Sequence, residues 1–239
     1  MTIIPDPIEA IGRDAGVNSQ WPQFADYCAL RAKGLRKSAL IALDRFCVEA
    51  ASSTFEVRRE FCLWLFERQG VLATGGTGLP HPLLDKVVAP MLREWRRTES
   101  ANPLPHYWAG VFGIGPDDGE TPPPLACIEQ ALSLDPSFDP ARRSLVDRVI
   151  YNVEYSHHHL PYYYVRDFSD PAGDVVCIDN ALNLVEGANG AGWAVLARKE
   201  LMFLRSVTED WIRFESEGEQ DFATWCEARG KAYRPPVGR

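Results

Sequence analysis

Glu154 and His157 are the pair whose residue types and spacing could most readily hold a metal. Glu-x-x-His is the spacing of a di-iron carboxylate helix, where residues three apart share a face. Such a centre needs a second Glu-x-x-His and two further Glu-bearing helices. Outside the run His157, His158, His159, the chain has only His81 and His106, and neither follows a Glu by three. Three consecutive histidines on a helix are splayed about 100° apart, so they cannot converge on one ion. They suit the negative C-terminal end of a helix dipole instead. No metal and no cofactor is therefore expected, and a metal-dependent enzyme using Glu154 and His157 is kept as an alternative reading.

Other local chemistry is sparse. "GGTG" (Gly75 to Gly78) lacks the Lys of a phosphate loop, and "GIGPDDG" (Gly113 to Gly119) has no flanking strand to make a dinucleotide turn. The acids "DDGE" (Asp117 to Glu120) are too few for a calcium loop and read as a solvated turn. H-E-x-x-H, G-x-S-x-G and EF-hand patterns do not occur. No catalytic residue is assigned.

The elements that must position any site are helices. "WPQFADYCALRAKG", "LRKSALIALDRFCVEAASS" and "FEVRREFCLWLFERQG" place apolar residues three and four apart. A helix is expected from about Leu83 to Thr98, kinked or split by Pro90. "LACIEQALSLDP" and "ARRSLVDRVIYNVEYS" read as a helical hairpin, and Asp170-Pro171 opens a helix through Leu184. The longest helix begins near Gly192, with Ala197, Leu204 and Trp211 seven apart and Val207 and Phe214 beside them. Alternating β-branched runs are nearly absent, so the fold class is all-α. The expected organisation is a single domain over 1–239, divisible into N-terminal helices 1–99 and hairpins 100–230, with a tail at 231–239.

Composition bounds the partners. The 239 residues are 46% hydrophobic and 24% charged, as in a globular protein, and no apolar run approaches a membrane span. "MTIIPDPIEAIG" has no basic residue before its weak apolar stretch, so no secretory signal is read there and a cytoplasmic location is expected. The net charge of −8 opposes a phosphate backbone. The basic cluster "RAKGLRK" (Arg31 to Lys37) reads as a solvated helix end, so nucleic acid is not expected as a partner, and without a spanning apolar run neither is a membrane. Cys28, Cys47, Cys62, Cys127, Cys177 and Cys226 sit singly in apolar helical patterns, without a C-x-x-C pair, and should be free thiols.

An internal repeat is the strongest organisational signal. "CIEQALSL" (Cys127 to Leu134) and "CIDNALNL" (Cys177 to Leu184) agree at five of eight positions, and the differences are chemically close. Upstream lie "LPHYWAGVF" (Leu104 to Phe112) and "LPYYYVRDF" (Leu160 to Phe168) in the same order. Stacked hairpins of this kind bury faces that one unit cannot cover.

"ALSLDP" (Ala131 to Pro136) resembles the end of the second helix of a tetratricopeptide repeat. Ala131 precedes Pro136 by five, Ile128 sits at the large apolar position, and Trp108 lies 23 before Ala131. The loop Gly113 to Pro124, a period near 50 and a missing Gly depart from that pattern. Over residues 104–185 the resemblance implies stacked antiparallel helical hairpins of the interaction type, with no catalytic residues to carry over.

Taking each Leu-Pro proline as the start of a helix, Trp108/Tyr164, Ala109/Val165 and Phe112/Phe168 form one apolar stripe expected in the core. Tyr107 and Tyr163 fall well over about 100° from its centre. They either pack against a neighbouring repeat or line a groove of aromatic contacts. The candidate partner-binding residues are Tyr107, Tyr162, Tyr163 and His106. The leading expectation is a non-enzymatic helical-repeat protein binding a protein or peptide. The alternative is an acidic immunity or inhibitor protein that neutralises a basic partner, motivated by seven acids and one Arg from Glu209 to Glu227.

Overall fold

The computed structural model describes residues 11–15, 21–68, 79–115, 124–188, 192–218 and 221–233, which are helices and their connections with no strand among them. The segments carrying "GGTG" and "DDGE" lie outside the described residues, as do positions 116–119 of "GIGPDDG". The chain forms two compact units: Met1–Ser100 with Ile114–Thr121, and Ala101–Gly113 with Pro122–Arg239.

In the first unit, α1 (Pro22–Ala32) and α2 (Arg36–Ser52) form a hairpin, followed by α3 (Phe55–Phe66). Gly34 makes the α1–α2 turn with φ of 74°, a left-handed conformation that glycine adopts without Cβ strain. Phe24, Phe46, Phe61 and Trp64 fill the core as a ring cluster, with Phe46 and Phe61 centroids 4.7 Å apart. The helix expected around Pro90 is indeed interrupted. α4 (His81–Leu83) passes through a π-helical turn, Leu84–Val88, into α5 (Ala89–Thr98). Pro90, second in α5, has no N–H and its ring would crowd the carbonyl four residues back, so the wider turn before it relieves that conflict. Arg93 Nε and Arg96 donate to the Gly115 carbonyl at 3.2 and 2.9 Å, pinning the returning strand of chain.

The second unit packs as antiparallel helices: α6 (Pro103–Phe112), α7 (Pro124–Leu134), α8 (Asp139–His157), α9 (Pro171–Glu186), α10 (Gly192–Glu217) and α11 (Phe222–Ala228). α6 lies on α7, α9 on α10, and α8 touches α7, α9 and α10. Asp170 caps α9 by accepting from the Gly173 N–H at 2.7 Å, so Asp-Pro opens this helix as its residue types dictate. Ala197, Leu204, Val207, Trp211 and Phe214 on α10 are all buried, the seam their spacing specifies. Around Ile178, Ala181 and Leu201, Ala197 and Leu204 join Val146 and Val153 in an aliphatic core, while Val207, Trp211, Phe214, Phe222 and Trp225 belong to an aromatic one.

The two copies of the proposed repeat match only in part. "CIEQALSL" and "CIDNALNL" both lie in helices that face a following antiparallel helix, and Ala131 and Ala181 are both buried. Their leading cysteines diverge: Cys127 is buried and Cys177 exposed. The Leu-Pro segments diverge more. Leu104-Pro105 lies in α6, whereas residues 161–170 are not helical. The expected second helix is absent because the chain reverses: the Val165 N–H donates to the Ser156 carbonyl at 2.9 Å. Pro161, which has no N–H, sits within that reversal. Tyr164 and Val165 are still buried, but Phe168, expected in the core, is 52% exposed.

Candidate partner-binding surface

The stretch Tyr155 to Tyr164 leaves the end of α8 and folds back on it, and the fold-back sorts its side chains into two sets. The inward set is His157, Leu160 and Tyr164, with Ser156 beneath them. The outward set is Tyr155, His158, Tyr162 and Tyr163, all exposed, with His159 half-buried among them.

The inward set is a polar network inside the aromatic core. Thr208 is fully buried on α10, and its hydroxyl donates to the Leu204 carbonyl at 3.0 Å. Its oxygen then accepts from His157 Nε2–H at 2.9 Å, which fixes the tautomer of this imidazole. Tyr164 packs edge-on against His157 with centroids 5.3 Å apart, and its hydroxyl donates to buried Asp174 Oδ2 at 2.7 Å. Burial pushes the His157 pKa down to about 4, and burial together with the Asp174 carboxylate holds the Tyr164 hydroxyl far above the usual phenol range. His157 is thus neutral at neutral pH, with one ring nitrogen committed to Thr208.

The outward set forms a continuous strip of rings. Phe168 meets Tyr155 at 5.2 Å, Tyr155 meets His158 at 4.8 Å, His158 meets His159 at 3.8 Å, and His159 stacks on Tyr163 at 4.5 Å. Tyr162 stands at its edge, 84% exposed. Tyr151, one turn before Tyr155 on α8, extends the same exposed face. The Tyr155 hydroxyl donates to Asp167 at 3.3 Å, and Arg166 pairs with Glu215 of α10 at 2.6 Å, so the loop just after Val165 is fastened to both α8 and α10.

The sequence candidates are divided by this arrangement. Tyr162 and Tyr163 join the strip. Tyr107 lies edge-on to Phe138 at 5.5 Å with its hydroxyl 3.4 Å from Ser144 Oγ, and His106 beside it is half-buried. Tyr107 and Tyr163 are therefore not equivalent. Glu154 and His157 do not converge either: Glu154 is exposed on α8, while His157 turns inward to Thr208. Among the described residues no group of three or more His, Cys, Asp or Glu is placed to hold a metal ion. Tyr155, His158, His159 and Phe168 were not singled out as contact residues, although Tyr151, Tyr155 and His158 carry a usable signal in their i, i+4, i+7 spacing.

The acidic stretch of α10 and α11 is largely answered within the fold. Glu209 pairs with Arg205 at 2.8 Å, Asp210 with Lys231 at 3.2 Å, Glu215 with Arg166, and Glu217 with Arg229 at 2.8 Å. No described helix is long and apolar enough to cross a membrane.

The chain matches no family model, no curated protein and no solved structure. The protein is all-α, with hairpin-like helix packing.

Proposed function

We propose that this protein acts by binding a protein or peptide partner, without catalysis of its own, and that the partner docks on the ring strip of the second unit. The observation that supports this is the unbroken contact from Phe168 through Tyr155, His158 and His159 to Tyr163, on the outside of the protein. Exposed aromatics in contact with one another are unusual unless they meet something, and Tyr is enriched where proteins meet. Two of the outward rings adjoin an inward anchor in the chain: His158 follows His157, and Tyr163 precedes Tyr164. The anchors are tied to Thr208 and Asp174, so the strip is held before a partner arrives and less ordering entropy is lost on binding.

The paired helices and the matching Cys-Ile-x-x-Ala-Leu segments support a scaffold of stacked hairpins, akin to the tetratricopeptide type. The internal pairing of Glu209, Asp210, Glu215 and Glu217 leaves little free acid for an inhibitor of a basic protein. Affinity capture from native cells should be run with wild type and with the double variant Tyr155→Ala/Tyr163→Ala, which alters surface rings only. A protein retained by wild type and lost by a variant of unchanged Tm supports the reading. Identical captured sets contradict it.

A further inference from the structure

The first unit carries a patch of a different composition. Between Tyr27 and Leu43 there are four cations, Arg31, Lys33, Arg36 and Lys37, and no acid, in a chain of net charge −8. Many arginines among the described residues are ion-paired, such as Arg58 with Glu94, Arg68 with Asp14, Arg166 with Glu215, Arg205 with Asp179 and Arg229 with Glu217. Lys33, Arg36, Lys37 and Arg45 form no ion pair among the described residues. Large aliphatic side chains stand among them. Leu35, at the α1–α2 turn after Gly34, is 50% exposed, Ile41 is 51% and Val48 61%, and Leu40 is exposed as well.

Helical spacing of about 100° per residue gathers these groups. Leu40, Lys37, Val48 and Ile41 share one arc of α2, with Arg36 and Arg45 along its two edges. Asp44 is the acid in the middle of this arc, and Lys86 holds it at 2.6 Å. Beside the arc, an open groove of about 440 Å³ runs between α1 and α2 over Ala29 and Ala42, with two cations, Lys33 and Arg45, and one acid, Asp26, among its walls.

We propose that this face of α1 and α2 lies on an anionic lipid surface, Leu40, Ile41 and Val48 entering the headgroup boundary while Lys33, Arg36, Lys37 and Arg45 meet the lipid phosphates. Charge complementarity selects the occupant, and composition selects lipid over protein. Lysine is depleted at protein interfaces and aromatic residues are enriched there. This patch has two lysines and no exposed aromatic, the reverse of the strip in the second unit. Aliphatic groups edged by Lys and Arg are what an interfacial helix presents, and long basic side chains reach the headgroups while their stems stay apolar. Such a contact needs no spanning helix.

Cosedimentation of the full chain tests this with phosphatidylcholine vesicles and with vesicles containing phosphatidylserine. Binding should occur only to the anionic vesicles and weaken with salt. Lys37→Gln/Arg45→Gln should reduce affinity by roughly tenfold or more, since each basic residue near an anionic surface contributes about fivefold. Ile41→Ser/Val48→Ser should also reduce binding, with Tm unchanged because all four side chains lie on the surface. The proposal is overturned if wild type does not sediment with anionic vesicles. It is also overturned if either double variant binds like wild type. Displacement by polyglutamate with the serine variant unaffected would assign the patch to acidic polypeptides and overturn the lipid contact.

Discussion

His157 Nε2 lies 2.9 Å from the Thr208 hydroxyl, joining the last turn of α8 to the middle of α10 across 51 residues of sequence. This contact makes the first of three adjacent histidines a structural group, while His158 stays exposed and His159 half-buried. The same division recurs at Tyr164, whose hydroxyl reaches Asp174 while Tyr162 and Tyr163 face out.

The inward histidine gives stability a pH dependence. An unfolded histidine takes up its proton near pH 6.5, whereas folded His157 stays neutral down to about pH 4. Between those values the unfolded chain binds more protons, so stability is full above the upper value and falls as pH drops towards the lower. The loss from this group should approach about 3 kcal/mol. Denaturant unfolding at about pH 7 and about pH 4.5 should show a larger decrease for wild type than for His157→Gln, which keeps an N–H for Thr208 but does not titrate. Equal decreases would contradict the buried neutral imidazole.

All six cysteines should be free, with native reactivity confined to one. Cys28, Cys47, Cys62, Cys127 and Cys226 are buried, and burial raises the Cys28 thiol to about 12 and those of Cys47 and Cys226 to about 11. Thiolate is the reactive form, so exposed Cys177 should react first. A thiol reagent should titrate one group in native protein and six after denaturation without reductant. Two or fewer after denaturation would mean disulfides.

Phe168 and Phe222 should separate cleanly in a melt. Phe222 is 1% exposed among Trp211, Phe214 and Trp225, and its truncation to Ala should cost about 3–5 kcal/mol. Phe168 rests on Tyr155 at the surface, so Phe168→Ala should cost less than about 1 kcal/mol. Similar losses in Tm would place Phe168 in a core.

The contrast between these two rings shows where the sequence was legible. Period 3.6 identified the helices, the α10 seam at Ala197, Leu204 and Trp211, the Asp170-Pro171 start and the break near Pro90, because each is a local consequence of spacing or of a missing N–H. Phe168 escapes a helical register extended past Pro161, because a hydrogen bond from the Val165 N–H to the Ser156 carbonyl reverses the chain there. Likewise the sorting of His157 from His158 depends on Thr208, whose position is fixed by packing of α10 and leaves no trace beside the histidines. The similarity of "LPHYW" to "LPYYY" was real in letters but not in conformation.

Tyr162 offers the most direct test of the binding surface, because it is the most exposed ring at the edge of the strip. A photo-crosslinking amino acid should be placed at position 162 and, as a control, at position 195, where Val195 is also exposed but lies on α10. On irradiation in native cells, position 162 should yield one discrete crosslinked protein that is lost when Tyr155→Ala/Tyr163→Ala is added, and position 195 should not yield it. Crosslinking that is equal at the two positions, or indifferent to the loss of Tyr155 and Tyr163, would contradict docking on the strip.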